Sequence, residues 1–413
     1  MIDVKQEVKR QFNSIEEWLQ KQKQHATPLL YSSIDIRESN HKLAGIDTNV
    51  FPAGFNNLNP NAQLAIRQAF KRFFSTHYPI SKEILLFCED HTRNLFYLEN
   101  VYQLKSQLES AGCNVIVGSF FKDHPTICTS TGHLTITTAN NNPLTLYCLN
   151  YILNHRNEFN IDACVLNNDL SDGNYDSLTQ LNVPIIPDPQ MGWHRRKKST
   201  HIAQLNQLTK TLIDECHLSI DPWQLTTEFA AVSSIDINLE TDRQRLADTA
   251  NDILKIIQQK YKEHHINDSP YLVIKSDNGT YGMGVISIKE PNDILNLNRK
   301  SRNKLHKGKS AIPIDNLIIQ EGIPSAIQIN GHTAEEVIYH VNGETIGSFY
   351  RLHEQKTTTD ILNSKGMQFK AFDPSINESF QEESTNAMIQ SSPISYLVAQ
   401  LANLSAQKEV ALL

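Results

Sequence analysis

The sequence has no long apolar run, no paired-cysteine motif and no excess of positive charge. No stretch approaches the roughly 18 consecutive apolar residues of a membrane-spanning helix, and the charged segment 1–24 lacks the apolar core of a signal peptide. The six cysteines show no C-x-x-C or zinc-like spacing. A net charge of −7 argues against general binding to nucleic acid. We therefore expect a cytoplasmic protein with no membrane or nucleic-acid partner, whose cysteines are free thiols.

Several common motifs for phosphate binding and catalysis do not fit the sequence either. A P-loop requires G-x-x-x-x-G-K-[ST] before a helix, and a Rossmann turn requires G-x-G-x-x-G between a strand and a helix. A protein kinase places its glycine loop before its lysine strand and needs H-R-D and D-F-G downstream. No Ser-His-Asp or Cys-His set stands out among the 16 scattered histidines. The sequence matches none of these motifs.

The stretch YLVIKSDNGTYGMGVISIK, residues 271–289, is nevertheless a candidate phosphate site. Two apolar, β-branched runs flank a loop with the glycine order G-x-x-G-x-G, and a lysine closes the first run. This pattern predicts a β-hairpin whose loop approaches a phosphate closely, because glycine leaves the backbone N–H groups uncovered. The alternative is an ordinary surface hairpin. The candidate ATP ligands of this stretch are Lys275, Asn278, Gly279, Gly282 and Gly284.

Length and residue patterns indicate two or three domains of α/β and α+β structure. Apolar runs at 84–90, 114–120 and 162–170 alternate with helical segments, which predicts a parallel sheet. Asn342-Gly343 between two β runs predicts a type I′ hairpin. The predicted divisions are an N-terminal α/β substrate-binding domain (1–190), a catalytic domain (191–385, nucleotide lobe about 265–325) and a peripheral C-terminal tail and helix (386–413).

Further features expected of an ATP site follow the glycine loop in order. The apolar run at 316–321 ends in Gln320 and Glu321, where a strand turning into a linker can bind adenine through its backbone. An acid at that point can accept a hydrogen bond from the N6 amino group or from a ribose hydroxyl. The predicted hairpin ends in Arg351, whose guanidinium suits a phosphoryl group in transfer.

A metal site is predicted just beyond this arginine, in the pattern D-x-x-N-x-x-G. Asp360 and Asn363 are hard oxygen donors of the kind that bind Mg²⁺, or Mn²⁺, together with nucleotide phosphates. A second carboxylate is needed to offset the charge of the cation, and Glu336 is our candidate, although Glu335 is as plausible. The alternative for Asp360 alone is a solvated loop acid.

Two polar segments complete the candidate residues. The segment 35–58 packs cations, acids and amides among glycines and a proline, so it is unlikely to be regular structure and could hold an amino-acid zwitterion. The alternative is a polar loop that caps the following helix. Basic clusters at 194–198 and 299–309 are either solvated faces or local sites for a polyphosphate. The substrate-binding candidates are Arg37, Lys42, Asp47, Asn49 and Asn56, and Lys198 is a further ATP-binding candidate.

Taken in order, the lysine–glycine hairpin, Q-E-G, the hairpin to arginine and D-x-x-N-x-x-G resemble the ATP-grasp superfamily. With D-I-R…K-L-A-x-I-D-T-N-x-F-P-A-G-F-N-N-L, R-R-K-K-S-T-H at 195–201 and L-N-S-K-G, the chain is similar to proteobacterial ATP-grasp-type glutamate–cysteine ligases over about residues 30–375. The resemblance implies an N-terminal pre-ATP-grasp-like α/β domain followed by a two-lobed ATP-grasp domain. Asp360 stands where that family is expected to carry a glutamate.

The resemblance also implies a reaction. ATP and Mg²⁺ would activate glutamate as its γ-glutamyl phosphate, which cysteine would then attack through its amine in the first step of glutathione synthesis. Lys275 would neutralise the ATP phosphates, Arg351 would steady the charge that develops during transfer, and the loop 278–284 would close to exclude water. The alternatives are a ligase with a different amine acceptor and a nucleotide-binding protein without catalysis. The oligomeric state, including a homo-oligomer, is left open.

Overall fold

The computed structural model describes residues 2–122, 124–171, 175–279, 284–306, 314–372 and 392–412 of the chain. The helices are α1 (Ile2–Arg10), α2 (Phe12–Lys23), α3 (Pro60–His77), α4 (Leu95–Ser110), α5 (Pro125–Thr129), α6 (Leu149–Asn154), α7 (Asp176–Thr179), α8 (Lys198–Glu215), α9 (Glu240–Glu263), α10 (Pro291–Leu295), α11 (Arg299–His306) and α12 (Pro393–Glu409).

The strands are β1 (Tyr31–Glu38), β2 (Leu43–Asn49), β3 (Glu83–Cys88), β4 (Asn114–Ser119), β5 (His133–Thr137), β6 (Pro143–Cys148), β7 (Ala163–Asn167), β8 (Ile185–Ile186), β9 (Phe229–Val232), β10 (Leu272–Ser276), β11 (Ile286–Ile288), β12 (Leu317–Glu321), β13 (Gln328–Ile329), β14 (His332–Val341), β15 (Glu344–His353) and β16 (Gln368–Ala371). They form three sheets, which we call the mixed sheet, the four-stranded sheet and the central sheet.

The mixed sheet has the strand order β5-β6-β4-β3-β7-β8 and confirms the predicted α/β pattern. Its strands pair in parallel except β5, which runs antiparallel to β6. Helix α3 begins at Asn59, whose side chain accepts a hydrogen bond from the Ala62 N–H, and Pro60 occupies its first turn. Ile66, Phe70 and other apolar residues at helical spacing then pack into the core over this sheet.

The central sheet has the order β16-β15-β14-β1-β2, with β13 added beside β14. It joins residues 31–49 to residues 328–371, which are far apart in sequence, so a division of the chain at residue 190 would cut through one sheet. The predicted irregular structure of 35–58 is wrong for its first part, because β1 and β2 are antiparallel strands there. Most residues of both strands are buried. The predicted domain boundaries stay a prediction.

The four-stranded sheet, β11-β10-β12-β9, is antiparallel throughout, and α9 packs against it. Strands β10 and β11 form the predicted hairpin around the glycine loop. Within that loop, residues 280–283, and with them Gly282, lie outside the described residues. The second predicted hairpin is also confirmed, because Asn342 and Gly343 both have the positive φ of a type I′ turn.

The C-terminal helix α12 is central, and the prediction that it is peripheral is wrong. It begins at Ser392, whose hydroxyl accepts a hydrogen bond from the Ser395 N–H, with Pro393 in its first turn. Almost every residue of this helix is buried, including polar ones such as Gln400 and Asn403. It packs among the N-terminal helices, α8 and the central sheet. No helix of the described segments is long and apolar enough to cross a membrane.

The expectation that all cysteines are free thiols is wrong for two of them. Cys128 and Cys148 form a disulfide between α5 and the end of β6. Cys88, Cys113 and Cys164 are free and buried, as predicted, and Cys216 is free and partly exposed. Burial raises the pKa of the Cys113 thiol to about 11, so this cysteine is protonated at neutral pH.

Candidate active site

A cleft opens between the four-stranded sheet and the central sheet. Its walls come from β1, β2 and β14 on one side, from β10 and β12 on the other, and from the first residue of α8 and the segment 359–363 at the rim. The polar side chains in the cleft form three groups.

The first group, which we call the lysine end, contains Lys275, Lys198 and Asp47. The Lys275 ammonium donates to the Ile46 carbonyl at 2.8 Å, and the Lys198 ammonium pairs with the Asp47 carboxylate at 2.6 Å. Burial, opposed by Asp47 but aided by Lys198, lowers the pKa of Lys275 to about 8. Burial alone would favour a neutral Asp47, but the two lysines outweigh it and lower the pKa of that carboxyl. Two cations thus share one carboxylate.

The second group, the arginine end, contains Arg37, Arg351, Asp35 and Glu335. Arg37 Nε donates to Glu335 Oε2 at 2.8 Å, and Arg351 Nη1 donates to both Glu335 Oε1 and Asp35 Oδ2 at 2.7 Å. Arg37 also donates to the Tyr271 hydroxyl and to the carbonyls of residues 323, 358 and 360. Burial opposes ionisation of Glu335, but the two arginines outweigh it and lower its pKa. The cations and carboxylates are equal in number, so this end is neutral.

The third group lies where β12 turns into the linker after it. Glu321 Oε2 accepts from the Lys42 ammonium at 2.7 Å and from the Glu228 N–H at 3.0 Å. Its Oε1 is buried and has no hydrogen-bond partner among the described residues. Gln320, Val273, Val285 and Ile323 line the cleft beside it. A buried acceptor without a partner next to apolar side chains suits a flat heterocycle or a sugar that carries a donor group.

The structure brings about half of the predicted site residues together. The predicted residues that line the cleft are Arg37, Asp47, Lys198, Lys275, Gly279, Gln320, Glu321 and Asn363. The predicted residues that do not line it are Lys42, Asn49, Asn56, Asn278, Gly284, Glu336, Arg351 and Asp360. Their roles stay predictions, but their positions change what each side chain can do.

Three of the substrate-binding candidates have structural roles. Lys42 is fully buried, pairs with Glu321 and lies 4.0 Å from the centre of the Trp223 ring, so it supports the cleft wall from behind. The Asn49 side chain accepts from the Phe51 N–H in a turn. The Asn56 side chain contacts only its neighbour Asn57 among the hydrogen bonds of the described residues. None of these three side chains is directed into the cleft.

Three of the phosphate-site candidates also make contacts within the protein and do not line the cleft. Arg351 lies behind Asp35 and Glu335, which line the cleft in its place. Asn278 uses its amide to donate to the Arg196 carbonyl. Gly284 has φ +68°, and a Cβ there would lie 3.2 Å from the Lys304 carbonyl, so its glycine is explained by the backbone turn.

The metal site stays a prediction, although two of its three residues, Asp360 and Glu336, do not line the cleft. The Asp360 carboxylate accepts from the N–H and hydroxyl of Thr357 and so caps a turn. Glu336 lies on the face of β14 opposite the cleft, with Ser348 and Ser395, and burial raises its pKa to about 7 despite those hydrogen bonds. Glu335 is the glutamate in the cleft. No group of three or more His, Cys, Asp or Glu side chains in the described ranges could hold a metal.

Sequence reasoning missed Asp35 and Tyr271 as cleft residues, and it named Glu335 only as the equally plausible alternative to Glu336. A signal for Asp35 was present, because residues two apart on a strand share a face and Arg37 was already a candidate. Tyr271 donates its hydroxyl to the Ile323 carbonyl at 2.9 Å and so ties β10 to the linker after β12. Its position before the strand gave no distinguishing pattern.

The chain is similar to a known protein family and to several solved structures. The family model for glutamate–cysteine ligase matches residues 5–410. A crystal structure of a protein from Methylobacillus flagellatus KT, provisionally assigned as a gamma-glutamylcysteine synthetase, has 30% sequence identity and a TM-score of 0.85 over 98% of this chain and 95% of that chain. No curated protein matches the sequence.

Two other solved structures are similar at a lower level. A D-alanyl-alanine synthetase A from Vibrio cholerae O1 biovar eltor str. N16961 has 11% identity and a TM-score of 0.36, over 79% of this chain and 81% of that chain. The D-cycloserine synthetase DcsG has 11% identity and a TM-score of 0.39, over 78% and 81%. Similarity at this level carries no argument about this chain.

Proposed function

The chain belongs to the glutamate–cysteine ligase family, and we propose that it joins the γ-carboxyl of glutamate to the amine of cysteine at the expense of ATP. The observation that carries this proposal is the chemistry of the cleft. One end holds two lysines that share a single carboxylate, and another holds a buried glutamate oxygen without a partner in the described chain. These features support a phosphate site and a nucleoside site within one cavity.

We place the nucleotide along the four-stranded sheet. The base or ribose lies against Val273, Val285 and Ile323, and Glu321 Oε1 accepts from one of its donor groups. The phosphates then lie toward Lys198 and Lys275, whose ammonium groups offset their charge. This arrangement, with ATP between two β-sheets, supports the predicted ATP-grasp organisation. Cytoplasmic location stays a prediction.

The donor set of the cleft fits a divalent cation of the Mg²⁺ type. Asp35 and Glu335 on one wall and Asn363 at the rim offer carboxylate and amide oxygens. Mg²⁺ characteristically takes only one or two carboxylates along with nucleotide phosphates and water. These three residues would hold the ion, which supplies neutralisation of phosphate charge. Both carboxylates are paired with arginines. Despite its burial, the arginines lower the pKa of Glu335, whereas burial and the neighbouring Glu335, only partly opposed by Arg351, raise the pKa of Asp35.

The residues of the cleft then direct two successive displacements. The γ-carboxylate of glutamate attacks the γ-phosphorus of ATP, and Lys275 and Lys198 stabilise the charge on the phosphoryl oxygens during transfer. ADP leaves, and the acyl phosphate is attacked by the neutral amine of cysteine. The amide bond forms as inorganic phosphate departs, and the amine gives up its proton. The buried cleft protects the acyl phosphate from hydrolysis.

The proposal is tested with purified protein, ATP, Mg²⁺ and glutamate, with and without cysteine. We expect cysteine-dependent release of ADP and a product with the mass of γ-glutamylcysteine. Glutamate labelled with ¹⁸O in its γ-carboxyl should transfer one label to inorganic phosphate, because the acyl phosphate retains that oxygen. A screen of other amino acids serves as the control for the acceptor. ADP release that requires a different acceptor, or no release with any acceptor, would overturn the assignment.

A further inference from the structure

We infer that Glu409, in the last turn of α12, is a positioning residue that acts on the lysine end of the cleft through Arg196. The inference rests on the proposed function only in its use of ATP turnover as a readout. Neither residue lines the main cleft. They are 213 positions apart in sequence and meet because α12 packs between α8 and the central sheet.

The contact between the two residues is a buried, two-point ion pair. Arg196 Nε donates to Glu409 Oε2 at 2.7 Å, and Nη2 donates to Oε1 at 3.3 Å. Their side chains are 1% and 3% exposed. His201 Nδ1 contacts Glu409 Oε1 as well. A buried pair of this kind is costly to desolvate and is a poor source of stability. Its geometry, however, is strongly constrained, because two parallel hydrogen bonds orient the guanidinium plane.

Arg196 connects this anchor to the strand that carries Asp47. Its Nη1 donates to the carbonyl of Thr48, the next residue of β2, at 2.6 Å. The position of the Asp47 backbone is thereby tied to the guanidinium. Asp47 in turn holds the Lys198 ammonium and lowers the charge imbalance around Lys275.

Arg196 also contacts the other two segments of the lysine end. Its own carbonyl accepts from the Asn278 side chain at 2.9 Å, directly before Gly279. Its guanidinium lies 5.0 Å from the centre of the Trp193 ring, and the Lys198 ammonium lies 4.1 Å from the same centre. One arginine therefore touches β2, the start of the glycine loop and the ring under Lys198. Glu409 is the group that fixes that arginine.

The role can be separated from simple stabilisation by a double-mutant cycle. Glu409→Gln keeps the shape and removes the charge, and Arg196→Met removes the partner. We expect each to lower kcat/KM for ATP by roughly tenfold to a hundredfold, the range that a misplaced catalytic group produces. The double variant should be no worse than Arg196→Met alone, because Glu409 acts only through that arginine.

Glu99→Gln is the matched control. Glu99 is also a buried carboxylate with several hydrogen bonds, but it lies in α4 and contacts Thr138, and neither residue lines the cleft. It should lower the unfolding midpoint and leave kcat/KM unchanged in folded protein. Equal losses of kcat/KM for Glu409→Gln and Glu99→Gln, or losses that multiply in the double variant, would overturn the inference.

Two further measurements cover a variant that fails to fold and a protein that shows no ligase activity. If Glu409→Gln does not fold, Glu409→Asp replaces it in the same cycle, with the same requirement that its loss vanish beside Arg196→Met. The ATP dissociation constant of every variant is measured without glutamate or cysteine. Wild-type protein that binds ATP but ligates nothing refutes the proposed function, and the dissociation constants then decide the role of Glu409. Wild-type protein that binds no ATP refutes both.

Discussion

The two cationic ends of the cleft differ in how their charges are balanced. Lys198 and Lys275 share the carboxylate of Asp47, which leaves one positive charge without a direct carboxylate partner among the described residues. Arg37 and Arg351 share two carboxylates, Asp35 and Glu335, and are fully compensated. The lysine end can therefore accept an anion without breaking an ion pair, whereas the arginine end cannot.

The lysine end is therefore suited to binding a ligand, whereas the arginine end holds the parts of the cleft together. Arg37 donates to Glu335 of β14, to the Tyr271 hydroxyl before β10, and to three backbone carbonyls, one in the linker after β12 and two in or beside the segment at the rim. Its planar, multi-donor group is suited to such cross-linking, while the lysine ammonium is a mobile point charge that suits a phosphate. The predicted roles of Arg37 for the amino acid and Arg351 for the phosphoryl group would each require an existing ion pair to open.

The largest effect should come from removing one cation of the arginine end. Arg351→Ala leaves Asp35 and Glu335 buried with only Arg37 to compensate them, and we expect a loss of about 3–5 kcal/mol in the free energy of unfolding, measured with urea. Arg72→Ala is the control, because Arg72 forms an exposed pair with Glu344 and should cost at most about 1 kcal/mol. Equal losses for the two variants would mean that the arginine end does not brace the cleft.

Removing a cation of the lysine end should affect binding more than folding. Lys275→Ala should weaken ATP binding by about tenfold or more, since a charge-assisted contact contributes about 1.5–3 kcal/mol. Titration calorimetry with a non-hydrolysable ATP analogue measures this directly. Lys255→Ala, which removes an exposed lysine of α9, is the control and should bind like wild type. Unchanged affinity in folded Lys275→Ala would move the phosphates elsewhere.

The two ends should also differ in their response to pH. Lys275, with a pKa of about 8, is charged below that pH and becomes neutral above it, so ATP affinity should fall as pH rises beyond about 8, by at most about tenfold per pH unit for one proton. The folded protein holds fewer protons here than the unfolded chain, whose lysine titrates near 10.5. This residue should therefore increase the free energy of unfolding between pH 8 and 10.5.

The lysine variant provides the check on this assignment. Binding by Lys275→Met should lose the alkaline decrease, while the arginine end stays ionised throughout and adds no slope. A decrease of the same size in the variant would assign the titration to another group.

The smallest effect is expected at the rim, where substitutions of Asp360 and Asn363 should differ in their effect on the half-saturating Mg²⁺ concentration. Asp360→Asn should leave the half-saturating Mg²⁺ concentration within about twofold of wild type, because its carboxylate caps a turn and a lost hydrogen bond there contributes only about 0.5–1.5 kcal/mol to folding. Asn363→Ala should raise that concentration, since Asn363 lines the cleft. If Asp360→Asn requires more Mg²⁺ and Asn363→Ala does not, the original metal prediction stands.

Local pattern by itself determined much of this protein. Apolar runs alternating with helical segments predicted strands β3, β4 and β7 of the mixed sheet, and the lysine–glycine pattern predicted the glycine hairpin, because each depends on residues close in sequence. Lys275 was found because a lysine between an apolar strand and a glycine loop is a local signal. Buried α12 was recognised as a helix but not as a core element, because its partners lie hundreds of residues away.

Tertiary structure decided which side chains share the cleft, and the glutamate pair of β14 shows why. Counting back from the two-residue turn at Asn342-Gly343, an unbroken ladder would set Arg351 opposite Ala334 and so put Glu336 on its face. The ladder contains a register shift at Tyr339 and His340, so Arg351 lies opposite Glu335 instead. Because the bulge adds one residue, Glu335 and not Glu336 lies on the same face of the sheet as Arg351. No local sequence pattern predicts that shift. It is seen only in the pairing of β14 with β1 and β15.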